Sequence, residues 1–435
     1  MSTACPNSPT TPGHDARSEA ERNFRWNAGW FVVDYLTFGI GMAFLNQSTV
    51  LPTFVSRLTD SALLIGLVAT IQSGAWLLPQ LIAASIVAGK PRKRPYMLRP
   101  AIVGRPVFPL LAVFIVAVGP DNPTLLLVAL YAAMILFGVC DGLVSVPWFD
   151  ILGKAIPANR RGRLLGSAQI ITGLSGVVVG GVVAYVLAHP ALSFPQNYAA
   201  LFVLAGVAYL LGLIALAMIR EPVRLSQKDQ RRSLPAFLAL LGPALRGDSR
   251  FRRVIAVRLV FGAGAMIFPF YIVHASRVLP FGPEYVGLFL SAQVLGGVVG
   301  GFLLGQLADR RGAQSAIRAG VAIAALSPGL ALVTHFAGAA LGALLLYATA
   351  ATFVAIGVTF SSYLLAFMNY VLEIAPPDDR STYAGLFNTI NGTLLFAPAF
   401  AGWFLEATSY PALFAVALLL MLLAGIRLVA GLGSS

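Results

Sequence analysis

Two carboxylates lie inside a long apolar stretch of this sequence. Asp141 and Asp150 belong to the segment FGVCDGLVSVPWFD, and the apolar run around them begins at Thr124. A carboxyl group in such surroundings is suited to bind a proton or a cation, or to pair with a basic side chain. The spacing between the two residues corresponds to about 900° of helical rotation, which places the carboxylates on opposite faces. They therefore do not form the carboxylate pair that acid–base hydrolysis requires.

The depth of Asp141 in a membrane gives it a different role from Asp150. If the helix ends near Gly153, Asp150 lies roughly 5 Å from that end and Asp141 roughly 18 Å from it. Asp141 would then be near the middle of an apolar layer about 30 Å thick, where an unpaired carboxylate costs about 2.5–3.5 kcal/mol or more. We predict that Asp141 faces a cavity and binds a proton or a cationic substrate. A hydrogen bond to a neighbouring helix is the alternative.

Amide side chains also occur within apolar segments, and they are candidates for lining a polar cavity. Hydrogen bonds between helices, worth under about 1 kcal/mol each in membranes, are the alternative for each of them. The candidate cavity residues beside Asp141 are Gln72, Gln293, Gln169, Asn388, Asn391, Asn46 and Tyr271.

Charged residues near the ends of apolar segments have a simpler explanation. Asp34, Arg105, Asp150 and Arg258 are placed where side chains pair or reach the surface at modest cost. We predict ion pairs there that belong to a cytoplasmic gate, with substrate contact as the alternative for Asp150. No basic side chain is placed clearly at the midplane, which disfavours organic anions as substrates.

The composition requires a membrane for these segments. Of 435 residues, 58% are hydrophobic and 11% are charged, and the mean hydropathy is +0.81. A soluble protein has about 25% charged residues, so this chain is predicted to be an all-α, multi-pass membrane protein. Twelve apolar segments are predicted, near 29–55, 61–89, 100–119, 124–152, 164–188, 198–219, 254–276, 285–307, 318–335, 340–372, 382–405 and 411–431.

The basic residues are distributed unevenly between the two sides of these segments. The net charge is +13, and all of the 30 Lys and Arg residues except Arg57 and Arg277 fall on one side. The positive-inside rule predicts that this side and both termini are cytoplasmic, in a plasma or inner membrane whose anionic lipids contact the basic loops. Nucleic acid is not expected as a partner, because the Arg-rich loops lack interleaved aromatic residues.

The sequence also repeats itself. WFDILGKAIPANRRGRLLG, ending at Gly166, parallels FMNYVLEIAPPDDRSTYAG, ending at Gly385, so that Arg161 corresponds to Arg380. The same shift relates Gln169 to Asn388, and a second match relates Gln72 to Gln293. Two parallel repeats of six helices are typical of transporters with a central cavity. The predicted organisation is a disordered cytoplasmic tail (1–28), a first half (29–219), a cytoplasmic linker (220–253) and a second half (254–431).

One loop carries a family resemblance. GQLADRRGAQSAI, Gly305 to Ile317, resembles the G-x-L-x-D-R-x-G motif of the major facilitator superfamily, and it departs from the usual pattern at Ala313 and Gln314. The resemblance implies a twelve-helix transporter that works by alternating access and is usually monomeric. It also implies a cytoplasmic latch, whose residues would be Gly305, Asp309, Arg310 and Gly312, joined by Arg161 and Arg380 through the repeat. The corresponding loop of the first half has no carboxylate.

Other functional classes have no support in the sequence. It has no phosphate-binding loop, HExxH pattern or nucleophile elbow, and its cysteines, Cys5 and Cys140, are too few for a Cys-based zinc site. We predict no enzyme activity, no cofactor and no metal. The expected function is secondary active transport of a small organic solute.

Three functions remain as alternatives for this chain. A proton-coupled exporter is favoured by Asp141 and by the stretch TGLSGVVVGG, Thr172 to Gly181, which resembles the glycine motif of proton-linked exporters. Close helix packing is the other explanation of these glycines. A nutrient importer or uniporter, and a membrane sensor that does not transport, are the alternative functions.

Overall fold

The helices follow the predicted apolar segments. The computed structural model describes residues 21–87, 90–222, 241–362, 366–376 and 380–432, and all regular structure in these ranges is helical. Much of the predicted tail and linker, together with the side chain of Arg380, lies outside the described residues. The helix that contains the first apolar segment begins at Phe24, and the helix that contains the first apolar segment of the second half begins at Ser249.

The first half contains six spans. Span 1 is formed by Phe24–Phe44 and Val50–Ser56, span 2 by Ala62–Val87, span 3 by Arg94–Gly104 and Val107–Val118, span 4 by Pro123–Ala155, span 5 by Ala158–Ala188 and span 6 by Gln196–Met218.

The second half repeats this order after a short helix, Leu241–Gly247. Span 7 is formed by Ser249–Gly264, the 3₁₀ turn Ala265–Ile267 and Phe268–Arg277, span 8 by Tyr285–Arg311, span 9 by Ala313–Leu341, span 10 by Leu344–Ser361 and Phe367–Ile374, span 11 by Arg380–Asn391, the 3₁₀ turn Gly392–Phe396 and Ala397–Ala407, and span 12 by Tyr410–Leu432.

Ten of these spans are long and apolar enough, by length and composition, to cross a membrane within the described ranges. The other two are spans 1 and 11, which are interrupted: span 1 has a non-helical segment between Phe44 and Val50, and span 11 is divided by a 3₁₀ turn. The chain is an all-α membrane protein with twelve transmembrane helices in two parallel six-helix repeats. We call the end that carries Lys93, Lys154 and Arg310 the basic face, and the other end, which carries Asp60 and Glu406, the opposite face.

Span 3 is broken at the position that matters most for the site. Pro106 has no backbone N–H and cannot continue the hydrogen-bond pattern of the preceding helix. The first segment therefore ends at Gly104, and a new helix starts at Val107. Arg105 lies at this break, between the two helices of span 3, and its side chain extends towards spans 1 and 4.

Glycines let the two halves approach each other closely near the opposite face. A Cβ on Gly402 of span 11 would lie 2.2 Å from the carbonyl oxygen of Ala62, and one on Gly287 of span 8 would lie 2.1 Å from the carbonyl oxygen of Gly180. Neither position tolerates a side chain at this distance. Spans 2 and 11, and spans 5 and 8, are thus packed backbone against backbone near the opposite face.

Candidate functional site

Three buried charged side chains meet in the first half. A guanidinium nitrogen (Nη2) of Arg105 lies 3.6 Å from Oδ1 of Asp34 and 4.0 Å from Oδ1 of Asp141. The exposed fractions of the three side chains are 4%, 6% and 12%, respectively. We call these residues the charge cluster. Spans 1, 3 and 4 contribute one member each.

Aromatic residues enclose the charge cluster. Nε1 of Trp148 donates a hydrogen bond of 2.8 Å to Oδ2 of Asp34. The Arg105 guanidinium lies 5.0 Å from the ring centre of Phe38 and 5.4 Å from that of Tyr209. Cation–π contacts of this kind are worth more when they are shielded from water. Arg105 is therefore held between two carboxylates and two rings.

The charge cluster is not neutral when both carboxylates are ionised. Asp34 and Asp141 contribute two negative charges, and Arg105 contributes one positive charge, so one negative charge remains. An uncompensated charge is expensive in a buried site. The cluster can be neutralised by one bound proton or by one bound cation.

A cavity of about 250 Å³ lies directly beside this cluster, and Asp141 is the member that reaches it. Its wall comes entirely from spans 1 to 4, so the cavity belongs to the first half. The lining residues are Phe38, Met42, Leu45, Gln47, Leu51, Gln72, Ser73, Trp76, Phe108, Met134, Phe137, Gly138 and Asp141.

Two amides of the cavity wall have oxygen atoms without a partner. Oε1 of Gln47 and Oε1 of Gln72 are buried and accept no hydrogen bond. The Gln72 amide nitrogen is directed at the sulfur of Met42, 3.8 Å away. Because an unsatisfied buried acceptor costs about 1–3 kcal/mol, these two oxygens favour a donor inside the cavity.

The four repeat-related amides have different surroundings in the structure. Gln72 lines the cavity, whereas Gln293 is buried, and its backbone carbonyl would lie 1.9 Å from a Cβ on Gly357 in span 10. Gln169 and Asn388 are exposed. Equivalent positions in the repeat therefore have different surroundings.

The remaining candidate cavity residues lie elsewhere. Oδ1 of Asn46 accepts hydrogen bonds from the Ser48 amide and the Thr49 hydroxyl, in the segment that separates the two helices of span 1. Tyr271 is buried in the second half, where its hydroxyl lies 3.3 Å from Oγ of Ser327. Asn391 has a buried Oδ1 without a partner, next to the 3₁₀ turn of span 11.

The basic face of the first half has its own ion pairs. Asp150 pairs with Lys93 and, at 2.8 Å, with Lys154. Glu221 lies 3.5 Å from Nζ of Lys154 and accepts hydrogen bonds of 2.8–2.9 Å from the backbone N–H groups of Lys93 and Arg94. Asp150 and Asp141 thus pair with different side chains. The loop between spans 2 and 3, which has no carboxylate of its own, receives two from other elements.

The predicted latch residues are spread over the same face. Asp309 and Arg310 are exposed at the end of span 8, where Gly312 terminates the helix with a φ of 83°. The side chain of Arg161 donates to the carbonyl groups of Gly153 and Ile156 within its own half. Gly305 has open space around its Cα. In the second half, the buried guanidinium of Arg258 lies 5.4 Å from the ring centre of Phe367.

Polar contacts join the two halves at the opposite face. Nη2 of Arg277 lies 3.1 Å from Oδ1 of Asp60 and donates to the carbonyl oxygen of Thr59 at 2.9 Å. Oε1 of Glu406 accepts from the Ser61 hydroxyl at 2.7 Å and from the Leu63 amide at 3.0 Å, at the start of span 2. We call Asp60, Arg277 and Glu406, with the backbone they contact, the opposite-face clamp.

Releasing this clamp is expected to open the opposite face. A double replacement, Arg277→Gln with Glu406→Gln, removes both charged contacts across the halves but leaves the glycine packing intact. A carboxylate at a helix N-terminus contributes about 0.3–1 kcal/mol, so we expect a rise of about two- to fivefold in access. The measurement is thiol labelling of Ser73→Cys from the opposite face, with Cys5 and Cys140 replaced.

Arg57→Gln is the matched control for that measurement. Arg57 is the other arginine at this face, and its guanidinium lies 5.5 Å from the ring centre of Phe194, within the first half. Its replacement should leave labelling unchanged. Equal labelling of the double variant and the parent protein would show that the clamp does not hold this face closed.

Several site residues escape detection by sequence reasoning. Gln47 and Trp76 line the cavity, and Glu221 and Glu406 organise the two faces, but none of them belongs to a motif. The only available signal is that Glu406 and Asp60 are charged residues beside apolar segments. Within the described ranges, no three His, Cys, Asp or Glu residues lie close enough together to hold a metal ion.

Two parallel halves of six helices each are typical of membrane transporters. A family model of the Major Facilitator Superfamily matches residues 35–394, and the chain belongs to this superfamily. Its members carry small molecules across membranes, so the protein is a transporter and not an enzyme. A search of curated proteins finds no match for this chain.

Solved structures share the fold at low sequence identity. The nucleoside transporter NupG has a TM-score of 0.67 and 13% identity, over 93% of this chain and 99% of its own. A D-xylose–proton symporter has a TM-score of 0.68 and 15% identity, over 92% and 97%. A bacterial homologue of the iron transporter ferroportin has a TM-score of 0.66 and 13% identity, over 93% and 98%. These similarities concern the fold alone.

Proposed function

We propose that the protein is a proton-coupled exporter of a small organic solute, and that the charge cluster is its proton-binding site. The observation that carries this proposal is the charge imbalance of the cluster. One arginine serves two buried carboxylates, and Asp141 also reaches the cavity. Proton exchange at this position would couple the charge of the site to occupation of the cavity.

The basic face is the cytoplasmic side in this proposal, with both termini there, and the protein acts as a monomer. The distribution of Lys and Arg supports this orientation. Asp309 and Arg310 form the cytoplasmic latch together with Gly305, Gly312, Arg161 and Arg380, by resemblance to the superfamily motif. Asp150 holds the end of span 4 through its pairs with Lys93 and Lys154.

Import is the second candidate direction. The glycines that resemble an export motif pack against span 8, so they need not indicate export. A Cβ on Gly176 would lie 3.0 Å from Cγ1 of Val294, and one on Gly173 would lie 2.4 Å from Cγ2 of Val298. Close packing therefore explains these glycines without reference to direction. Flux of a solute in proteoliposomes, with the pH gradient imposed in either sense, distinguishes export from import.

Proton binding at the charge cluster can be tested without knowledge of the substrate. Infrared difference spectra of the purified protein between acid and alkaline pH report the C=O band of a buried carboxylic acid. We expect Asp141→Asn to remove or strongly reduce this band. Asp121→Asn, which changes an exposed loop carboxylate, should leave the band of the buried acid unchanged. A spectrum of Asp141→Asn equal to that of the unchanged protein would contradict the proposed proton site.

A further inference from the structure

The polar groups of the cavity wall are mainly hydrogen-bond acceptors. Oε1 of Gln47 and Oε1 of Gln72 lack partners, and the Asp141 carboxylate reaches the same space. The Gln72 amide nitrogen is directed at the sulfur of Met42, and the Ser73 hydroxyl of the wall can accept as well as donate. The cavity therefore matches a molecule that donates hydrogen bonds.

The charge near the cavity favours a cation over an anion. The charge cluster has one more negative than positive group, and Asp141 is its cavity-facing member. Arg105, the positive group, is covered by Asp34 and by the rings of Phe38 and Tyr209. An organic anion in the cavity would meet Asp141 first, because Asp141 lines the cavity and Arg105 does not.

The apolar wall adds a second reason to expect a cation. Phe38, Trp76, Phe108 and Phe137 line the cavity, and Trp76 has 40% of its surface exposed. Aromatic faces attract organic cations, with Trp the strongest of the three ring types. Met42 and Met134 complete the wall and adapt to irregular apolar shapes. A small molecule with an apolar group and one positively charged group would contact both the apolar wall and Asp141.

We propose that the solute is a small organic cation with an apolar body and at least one N–H donor. Its ammonium group binds between Asp141 and the carbonyl oxygens of Gln47 and Gln72, and its body packs against Trp76. The cavity of about 250 Å³ is below the range of about 300–1,000 Å³ that accommodates drug-sized ligands, so the solute is small. This inference rests on the proposed function, because Asp141 serves both the proton and the cation.

Three compounds with the same body test the charge preference. Phenylbutylamine, phenylbutanol and phenylbutyrate present a cation, a neutral hydroxyl and an anion on one phenylbutyl group. Binding is measured by equilibrium titration of the purified protein in lipid nanodiscs, with tryptophan fluorescence and thermal stability as separate readouts. We expect saturable binding of the amine at neutral pH, at least tenfold tighter than binding of the alcohol, and no saturable binding of the carboxylate.

Variants of the chain connect the preference to the cavity. Asp141→Asn should weaken binding of the amine at least tenfold, and Asp121→Asn should leave it unchanged. Gln72→Leu should weaken the amine severalfold but should have less effect on its trimethylammonium analogue, which has no N–H group. Trp76→Phe should remove most of the fluorescence change while the thermal stabilisation remains.

Two results would overturn the inference. One is binding of the alcohol or the carboxylate as tight as that of the amine. The other is the absence of saturable amine binding in the unchanged protein. If the infrared band still depends on Asp141 in either case, the proton site stands and only the cation specificity fails. If the amine binds through Asp141 but the band is unaffected, the cation site stands and proton coupling fails.

Discussion

Replacing Arg105 with Gln is expected to destabilise the protein more than replacing either of its carboxylate partners. The variant leaves Asp34 and Asp141 buried together without a counter-charge. Removing one partner of a buried ion pair costs about 3–5 kcal/mol, because the remaining charge stays uncompensated. The measurement is thermal unfolding of the purified protein at neutral pH, compared with Asp34→Asn and Asp141→Asn.

Two further variants show whether charge is the cause. In the triple variant Asp34→Asn, Arg105→Gln, Asp141→Asn, all members of the cluster are neutral, and most of the lost stability should return. Arg105→Lys keeps the charge but loses the planar group that lies over Phe38 and Tyr209, so its stability should be intermediate. If Arg105→Gln were as stable as the unchanged protein, the cluster would not be the buried ionic centre that the structure describes.

Replacing Gly402 with Leu is expected to prevent closure of the opposite face while the two halves remain folded. A Cβ at this position would lie 2.2 Å from the carbonyl oxygen of Ala62, a backbone atom that cannot rotate away. The contact joins span 11 to span 2, so separating the halves relieves the clash without unfolding either one. Labelling of Ser73→Cys from the opposite face should rise at least tenfold, and transport should fall by at least as much.

Gly181→Leu is the matched control for this experiment. Gly181 also lies in a helix near the opposite face, but no atom outside its own helix lies within 4 Å of its Cβ position. This variant should label and transport like the parent. A Gly402→Leu protein that labels like its parent would mean that spans 2 and 11 separate or adjust at little cost, and that this contact does not control access.

The helices, the repeat and the superfamily were predictable because they depend on patterns that can be read from the sequence alone. Apolar length, the position of Lys and Arg residues and the G-x-L-x-D-R-x-G motif are all local properties of the sequence. The contact of Arg105 with Asp141 is not local. The sequence predicted that Arg105 lies near the cytoplasmic end of span 3. In the structure the helix is interrupted at Pro106, and the long side chain of Arg105 extends from this interruption towards Asp141 of span 4.

The amides show a second limit of sequence reasoning. The repeat predicts that Gln72 corresponds to Gln293, but it contains no information on how each helix is rotated against its neighbours. Gln72 faces an open space among spans 1 to 4, and Gln293 is buried where span 8 meets span 10. The repeat therefore predicts which positions of the two halves correspond, but the surroundings of each position depend on how its helix packs against its neighbours.

The opposite-face clamp is made of exposed charges, and this has a consequence for the medium in which the protein works. At about 0.15 M salt, charges in water are screened over about 8 Å, and the screening becomes stronger as salt is added. Both charged contacts of the clamp are exposed to water and ions, whereas the glycine contacts of Gly287 and Gly402 contain no charge. A higher salt concentration on that side of the membrane would therefore shorten the time for which this face stays closed.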